Sequence, residues 1–292
     1  MKQTVLHAEH VALNASFTDF GGWDMPVRYG SDLAEHHAVR TSAGLFDISH
    51  MAEIRVTGAQ AAAFLDYALV NPSSEIAVGK AKYSLICAPD GGVIDDLIVY
   101  RLETDRYLII ANASNREPVA SALGEHANKF DVSVDDQSDA WALLAIQGPR
   151  ATGILQRMAS ADLTELKYYS IAESTVAGAA AYLCRTGYTG EDGFEVLVPA
   201  TEAAAVWNKL LAEGAGEELL GASIEMDASG NKRLPMIGEF MKAEIEKYFV
   251  SQGDIATVKY IDPSYMIRSI PANAADALYC MQLGQNAVHG AM

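Results

Sequence analysis

The sequence predicts an α+β protein in which antiparallel hairpins alternate with helices. Three observations carry this. The run Val93-Ile94-Asp95-Asp96-Leu97-Ile98-Val99-Tyr100 follows the turn signal Asp90-Gly91-Gly92, with Tyr83 to Cys87 as the other arm of a hairpin. The stretch from Tyr168 to Val198 is β-rich and is broken by Gly187, Gly190 and Gly193. Residues Ala200 to Ala212 form a strongly periodic helical pattern.

The remaining elements follow from local signals. Ser31 and Asp32 cap a helix running through Glu35 to Thr41, with Gly44 at its end. Glu53 to Thr57 reads as a strand and Ala59 to Leu69 as a helix. The hairpin of residues 82 to 101 comes next, then a strand from Tyr107 to Ala111. Asn115 opens a helix with Pro118 in its first turn. Phe130 to Val134 and Trp141 to Ile146 read as strands, and Gly148-Pro149 starts a further helix. Beyond residue 212 the texture changes. Glu213 to Arg233 is rich in Gly, Glu and Asp, followed by a helix (Met236 to Phe249), a strand (Ile255 to Ile261) and a last helix (Asn273 to Met292).

With 292 residues, half of them hydrophobic, the chain can bury a large core as one large or several small domains. A formal charge of −17 argues against a nucleic-acid backbone or an anionic membrane as partner, though not against a small anionic ligand. No run approaches the roughly 20 apolar residues of a membrane helix. The start, Met1-Lys2-Gln3-Thr4-Val5, lacks the apolar stretch of a signal peptide. Cys87, Cys184 and Cys280 are scattered in apolar contexts, which predicts buried, reduced thiols and a cytoplasmic or otherwise reducing location.

Two adjacent aspartates inside an apolar strand are the strongest chemical signal, because carboxylates are depleted in strands and rarely buried alone. Alternation puts Asp96 on one face with Ile94, Ile98 and Tyr100, and Asp95 on the other with Val93, Leu97 and Val99. One of the pair is expected at a wet surface or capping a turn, and the other in a ligand pocket. Composition alone leaves open that both sit at a loop edge.

Other motifs are weaker singly. Phe20-Gly21-Gly22-Trp23-Asp24-Met25-Pro26 reads as a close backbone approach, or as a tight loop with Trp23 plugging the core. His50, in Phe46-Asp47-Ile48-Ser49-His50-Met51, is a base, a ligand contact or a structural histidine. It has no metal-like companion, so no metal is expected. His36-His37 fits a solvated helix face. Arg185-Thr-Gly-Tyr-Thr-Gly-Glu-Asp-Gly193-Phe-Glu195 looks like a shaped ligand loop, and is neither a P-loop nor a dinucleotide fingerprint. A carboxylate such as Glu195 suits the paired N–H donors of an amino-pyrimidine edge.

Together these motifs stand in the order of a known family. Phe20-Gly-Gly-Trp-x-Met-Pro26, Glu35-His-x-Ala-Val-Arg40, Phe46-Asp-x-Ser-His-Met51, Gly91-Gly-x-Ile-Asp-Asp96, Asn112-Ala-Ser-Asn115, Gln147-Gly-Pro149 and Arg185-Thr-Gly-Tyr-Thr-Gly-Glu-Asp-Gly193 closely resemble the glycine cleavage system T-protein. That family comprises tetrahydrofolate-dependent aminomethyltransferases. The resemblance spans about residues 1 to 212. It implies two mixed α/β domains, one of residues 1–51 and 138–212, the other an insertion of residues 52–137. It also implies transfer of a methylene from an aminomethyl group on the lipoyl arm of H-protein to tetrahydrofolate, with release of ammonia. Asp96 matches the family's key aspartate beside the folate nitrogens, and Glu195 the acid that grips the pterin. Met51, Tyr83, Ile98, Tyr100, Asn112, Tyr188 and Tyr169 match pocket positions. A non-catalytic folate-binding module is the alternative.

The family's Gly-x-x-Ala-Arg-Asp segment and closing barrel are not recognisable after residue 212, which implies an open site and poor turnover. The tail instead resembles a C-terminal fragment of a long-type 6-phosphofructokinase, through Asp227-Ala-Ser-Gly-Asn231, Lys259-Tyr-Ile-Asp-Pro-Ser-Tyr265-Met-Ile-Arg268 and His289-Gly-Ala-Met292. That resemblance implies sugar-phosphate contacts by Glu213, Tyr265 and Arg268, and a chimeric reading frame joined at Leu211 to Ala215.

Overall fold

The computed structural model describes residues 1–215. They fall within the first of two compact units, Met1–Ser223, and the second, Ile224–Met292, lies outside the described residues. Tyr265, Arg268 and Cys280, and every element expected beyond Ala215, lie outside them too.

The N-terminal region holds elements that the sequence reading passed over. Helix α1 (His7–Ala12) precedes a hairpin of β1 (Ser16–Phe20) and β2 (Trp23–Arg28). The Phe20–Trp23 motif is therefore a hairpin tip rather than a loop plugging the core. Phe20 pairs with Trp23, and Gly21 and Gly22 both take positive φ, which a two-residue turn of this kind requires. Helix α2 (Asp32–Thr41) starts as expected at Ser31, whose hydroxyl accepts from the Ala34 N–H at 3.4 Å. Gly44 does not terminate it but opens β3 (Gly44–Asp47).

The chain then runs through β4 (Ala52–Thr57), α3 (Ala61–Ala68), β5 (Lys80–Cys87), β6 (Val93–Glu103) and β7 (Arg106–Ala111). A 3-10 turn, Ala113–Asn115, leads into α4 (Arg116–Ala127). The strand expected at Phe130 to Val134 lies later, as β8 (Ser133–Asp136), because Phe130 packs inward against Phe64 and Tyr67. There follow β9 (Trp141–Gln147), α5 (Ala151–Gln156), β10 (Ile171–Val176), β11 (Ala179–Cys184) and β12 (Gly193–Pro199). Helix α6 (Ala203–Ala215) includes Leu211 to Ala215, the expected join, and ends with the described residues.

Two five-stranded sheets face each other. One has the order β10-β11-β12-β9-β3, the other β5-β6-β7-β4-β8. Ile98, Tyr100, Leu108 and Ile110 of the second sheet pack on Leu143, Ile171, Cys184 and Leu197 of the first. Helices cover the outer faces. Phe64 and Leu65 of α3 and Val119 and Leu123 of α4 bury against one sheet, and Ile154, Val206, Trp207 and Leu210 against the other. Alternation dictates this layering: in β6, Leu97 and Val99 point to the helices while Ile98 and Tyr100 point between the sheets. Of the described cysteines, Cys184 is buried, whereas Cys87 is only half-buried beside the hairpin turn, contrary to expectation. No helix among the described residues is long and apolar enough to cross a membrane.

Candidate functional site

The two aspartates of β6 separate as alternation requires, and the structure shows which one is buried. Asp95 is the buried one, at 2% exposure. It accepts from the main-chain N–H of Asn112 at 2.9 Å, from Asn112 Nδ2 at 2.9 Å and from Asn115 Nδ2 at 2.5 Å. It thereby organises the 3-10 turn that leads into α4, the turn-capping role left open between the pair. Asp96 points to the inter-sheet side and is half-exposed. The phenol of Tyr83 donates to its Oδ2, and Asn112 Nδ2 reaches its Oδ1 at 3.1 Å.

Register explains this grouping. Ile98 of β6 lies opposite Tyr83 of β5 and Ile110 of β7. Asp96 is one step further along the same face, so Tyr83 is its diagonal neighbour. Asn112 follows β7 directly, and Met51 precedes β4, whose Ala52 pairs with Ala111. Tyr83, Ile98, Asp96, Asn112 and Met51 thus form one contiguous block.

The opposite sheet supplies Glu195, in β12 between Ala145 and Cys184. It is 4% exposed. Thr186 donates to its Oε2 at 2.6 Å, Tyr100 OH lies 3.4 Å from the same oxygen, and Tyr100 and Thr186 are 2.9 Å apart. Burial raises the Glu195 carboxyl above its usual range, against the lowering effect of Thr186 and Tyr100. Burial also holds the Tyr100 phenol protonated well beyond its ordinary range.

Tyr188 projects from the loop between β11 and β12 and is 73% exposed. Its phenol is raised by partial burial and, more weakly, by the nearby charges of Asp96, Glu195 and Asp95. Tyr169 joins from a left-handed backbone (φ 56°), uncommon for a non-glycine. It is held there by its N–H on Arg185 O (3.0 Å) and its carbonyl on the Ala81 N–H (3.0 Å). Gln147 fixes the loop itself. Its Nε2 donates to Thr186 O at 3.1 Å, and a side chain at Gly187 would collide with its amide. A cleft of about 500 Å³ runs along this loop, lined by Lys167, Tyr168, Arg185, Gly187, Gly190, Glu191 and Asp192. It lies beside the candidate residues, and Asp96 is not in its lining.

Glu213, expected at a sugar phosphate, lies on α6 and forms an ion pair with Arg157. His50 lies edge-on to Phe20 (5.5 Å between ring centres) and Trp23 (6.5 Å), and burial lowers it, against the charge of Asp47. His36 and His37 are exposed, as a solvated face requires. Sequence reading missed the buried network behind this corner. Asp47 accepts from Thr4 Oγ1 at 2.5 Å, pairs with His10 Nε2 at 2.9 Å and accepts from the Ser49 N–H at 2.9 Å, while Tyr29 OH lies 2.9 Å from His10 Nδ1.

Comparison with known proteins gives the same direction. Residues 6–246 match the family model described as the GCVT N-terminal domain, past residue 212 where the sequence resemblance was expected to end. The aminomethyltransferase of Saccharopolyspora erythraea is 47% identical over 276 residues, 94% of this chain and 75% of that protein. That of Streptomyces coelicolor is 55% identical over 217 residues, 74% of this chain and 58% of that protein. The crystal structure of glycine cleavage system aminomethyltransferase T from Bartonella henselae superposes with a TM-score of 0.68 at 37% identity, covering 72% of this chain and 57% of that one. The chain thus spans between about three fifths and three quarters of the length of these proteins, and it belongs to the glycine cleavage T-protein (aminomethyltransferase) family.

Proposed function

We propose that this chain is a tetrahydrofolate-dependent aminomethyltransferase that takes an aminomethyl group from the lipoyl arm of H-protein and releases ammonia. One observation carries the reading: a half-exposed Asp96 on one sheet, held by Tyr83 and Asn112, and a buried Glu195 on the facing sheet, held by Thr186 and Tyr100. Two carboxylates with different surroundings then divide the work. The donor set fits a reduced pterin. Both bonds to the Glu195 carboxyl fall on Oε2, which leaves Oε1 for a ligand N–H.

In this reading Glu195 orients the amino-pyrimidine edge, and Tyr83, Tyr169, Tyr188, Ile98, Tyr100 and Met51 wall the ring system. Tetrahydrofolate, when bound, supplies the nucleophilic nitrogens that accept the one-carbon unit. Asp96, held by Tyr83 and Asn112, orients those nitrogens and offsets the positive charge that develops beside it. The two sheets are read as two domains, residues 1–51 with 138–212 and residues 52–137, and the location as cytoplasmic. Ammonia release from aminomethylated H-protein, measured with and without tetrahydrofolate, tests the function. Release that tetrahydrofolate does not accelerate contradicts it.

A further inference from the structure

We propose that Arg40 is a positioning residue of this site: from the last turn of α2 it latches Glu191 and so sets the loop that carries Tyr188. The role rests on the folate reading above, and it gives a task to the Glu35-His-x-Ala-Val-Arg40 motif, which that reading leaves without one. Arg40 Nη1 donates to Glu191 Oε1 at 2.9 Å, across 151 positions of sequence. A Cβ added to Gly190, whose φ is 77°, would lie 3.6 Å from the same nitrogen. The guanidinium therefore rests against the loop backbone as well as against the carboxylate.

The loop, residues 185–192, joins β11 to β12. Its feet are tied to each other, since Arg185 donates to Asp192 Oδ1 at 3.1 Å and to Oδ2 at 2.7 Å. The Asp192 carbonyl also accepts from the Gly148 N–H at 2.8 Å. Gln147 holds the first arm, through Thr186 O and through its own Oε1, which accepts from Thr189 Oγ1 at 2.8 Å. Tyr188 stands between Gly187 and Thr189 and so has Gln147 on one side. The second arm, Gly190 and Glu191, reaches α2 through Arg40. The Glu191 N–H goes to Thr189 Oγ1 at 3.3 Å, a bond within the loop. The cleft of about 500 Å³ undercuts this arm, with Gly190 and Glu191 in its lining. A glycine beside open space gives the chain freedom to swing, and the Arg40 contact restrains it.

The mount is rigid. Helix α2 is capped by Ser31, buries Val39, and is followed by Ser42, whose carbonyl accepts from the Arg150 N–H at 2.9 Å. Arg40 lies in its last turn, where the helix dipole favours a cation. The two side chains are 42% and 26% exposed, and a pair of that kind adds little to global stability. Its use is geometric: it fixes where the second arm, and with it Tyr188, stands over the site.

Amide hydrogen exchange on the full chain reads the latch without any ligand. Arg40→Gln and Glu191→Gln should each speed exchange at Tyr188, Thr189 and Gly190 about threefold, the value of a half-exposed pair. Arg40→Lys should restore most of the protection. Calorimetric titration of tetrahydrofolate reads what the latch is for. Each Gln variant should bind about threefold more weakly than wild type, and the double variant no more weakly than either single one. Arg40→Gln should cost nothing further in a Tyr188→Ala background. Unchanged exchange in Arg40→Gln overturns the latch. Wild-type affinity in Arg40→Gln, or an equal loss in the Tyr188→Ala background, overturns the positioning of Tyr188. An Arg40→Gln chain that melts early while Glu191→Gln behaves as wild type assigns Arg40 to the stability of α2 and overturns the role. A wild type that binds no tetrahydrofolate fails the functional reading itself, and exchange still judges the latch.

Discussion

Tyr83 and Asp96 stand one diagonal step apart on β5 and β6, and the phenol donates to the carboxylate. That hydrogen bond, ahead of burial and the Asp96 charge, raises the Tyr83 phenol, so Tyr83 stays a donor at every pH of interest. With Asn112 on the other oxygen, both lone-pair edges of Asp96 are held. A carboxylate fixed in this way need not reorganise as charge develops beside it, which is the basis of preorganised electrostatic catalysis.

Asp96→Asn removes the charge and keeps the shape. Ammonia release is expected to fall by about 10²- to 10³-fold, while tetrahydrofolate affinity changes by less than about tenfold, because Glu195 and the aromatic walls remain. Single-turnover ammonia release beside equilibrium binding separates the two effects. Equal loss of both, in a variant that melts like the wild type, would refute a transfer role for Asp96.

Much of this site was legible because its residues break local rules. Two acids in an apolar strand, and three glycines spaced around a tyrosine, contradict ordinary strand and turn chemistry and so advertise themselves. The assignment within the pair was legible only through the family resemblance, since alternation separates Asp95 from Asp96 without saying which face is dry. Glu53 carried the same signal, an acid between Ala52 and Ile54 that the structure buries completely, at the start of the strand expected from Glu53 to Thr57. Thr186 was read as part of a loop, and its role became visible only when the fold brought Tyr100 to it from the other sheet. The hairpin of β1 and β2 was missed because Pro26 argues against a strand, and the Asp47 network because its members are scattered between Thr4 and Ser49.

Asp95→Ala should behave as a structural lesion. It strips the acceptor from Asn112 and Asn115, both of which are at least partly buried. Leaving those donors unmatched costs about 3 kcal/mol, a fall in Tm of roughly 10 °C for a chain of this size. Folate binding should weaken as well, since Asn112 loses its anchor. Thermal melting with and without tetrahydrofolate checks both. An unchanged Tm would mean that the turn into α4 does not depend on this acid.

Asp47 gives a pH-dependent prediction. Burial pushes its carboxyl up, but hydrogen bonds from His10, Ser49 and Thr4 outweigh this and leave it below its ordinary value of 3.8. A depressed folded-state value means that its stabilisation is fully present above about pH 4 and is lost as pH falls through the folded value. Asp47→Asn should therefore cost about 1.5–3 kcal/mol at neutral pH, as for lost hydrogen bonds to a charged group, and the gap to wild type should narrow below pH 3.8. Urea unfolding from neutral pH down to about pH 3 reads this directly. A gap that is constant with pH would assign the loss to packing rather than to charge.

Thr186→Val tests how Glu195 is kept ready for a ligand. The substitution preserves volume but removes the hydroxyl that donates to Oε2 and that lowers the carboxyl against its burial. Without it the Glu195 carboxyl rises further, and a larger fraction is un-ionised at neutral pH. Only the ionised form accepts two N–H donors, so affinity for tetrahydrofolate should fall about tenfold at neutral pH. The acid limb of its binding profile should move to higher pH by the same cause, and affinity should recover toward the wild-type value in alkali. Thr186→Ser, which retains the hydroxyl, should track the wild type. If Thr186→Val weakens binding equally at all pH values, the hydroxyl shapes the pocket and does not govern the charge on Glu195.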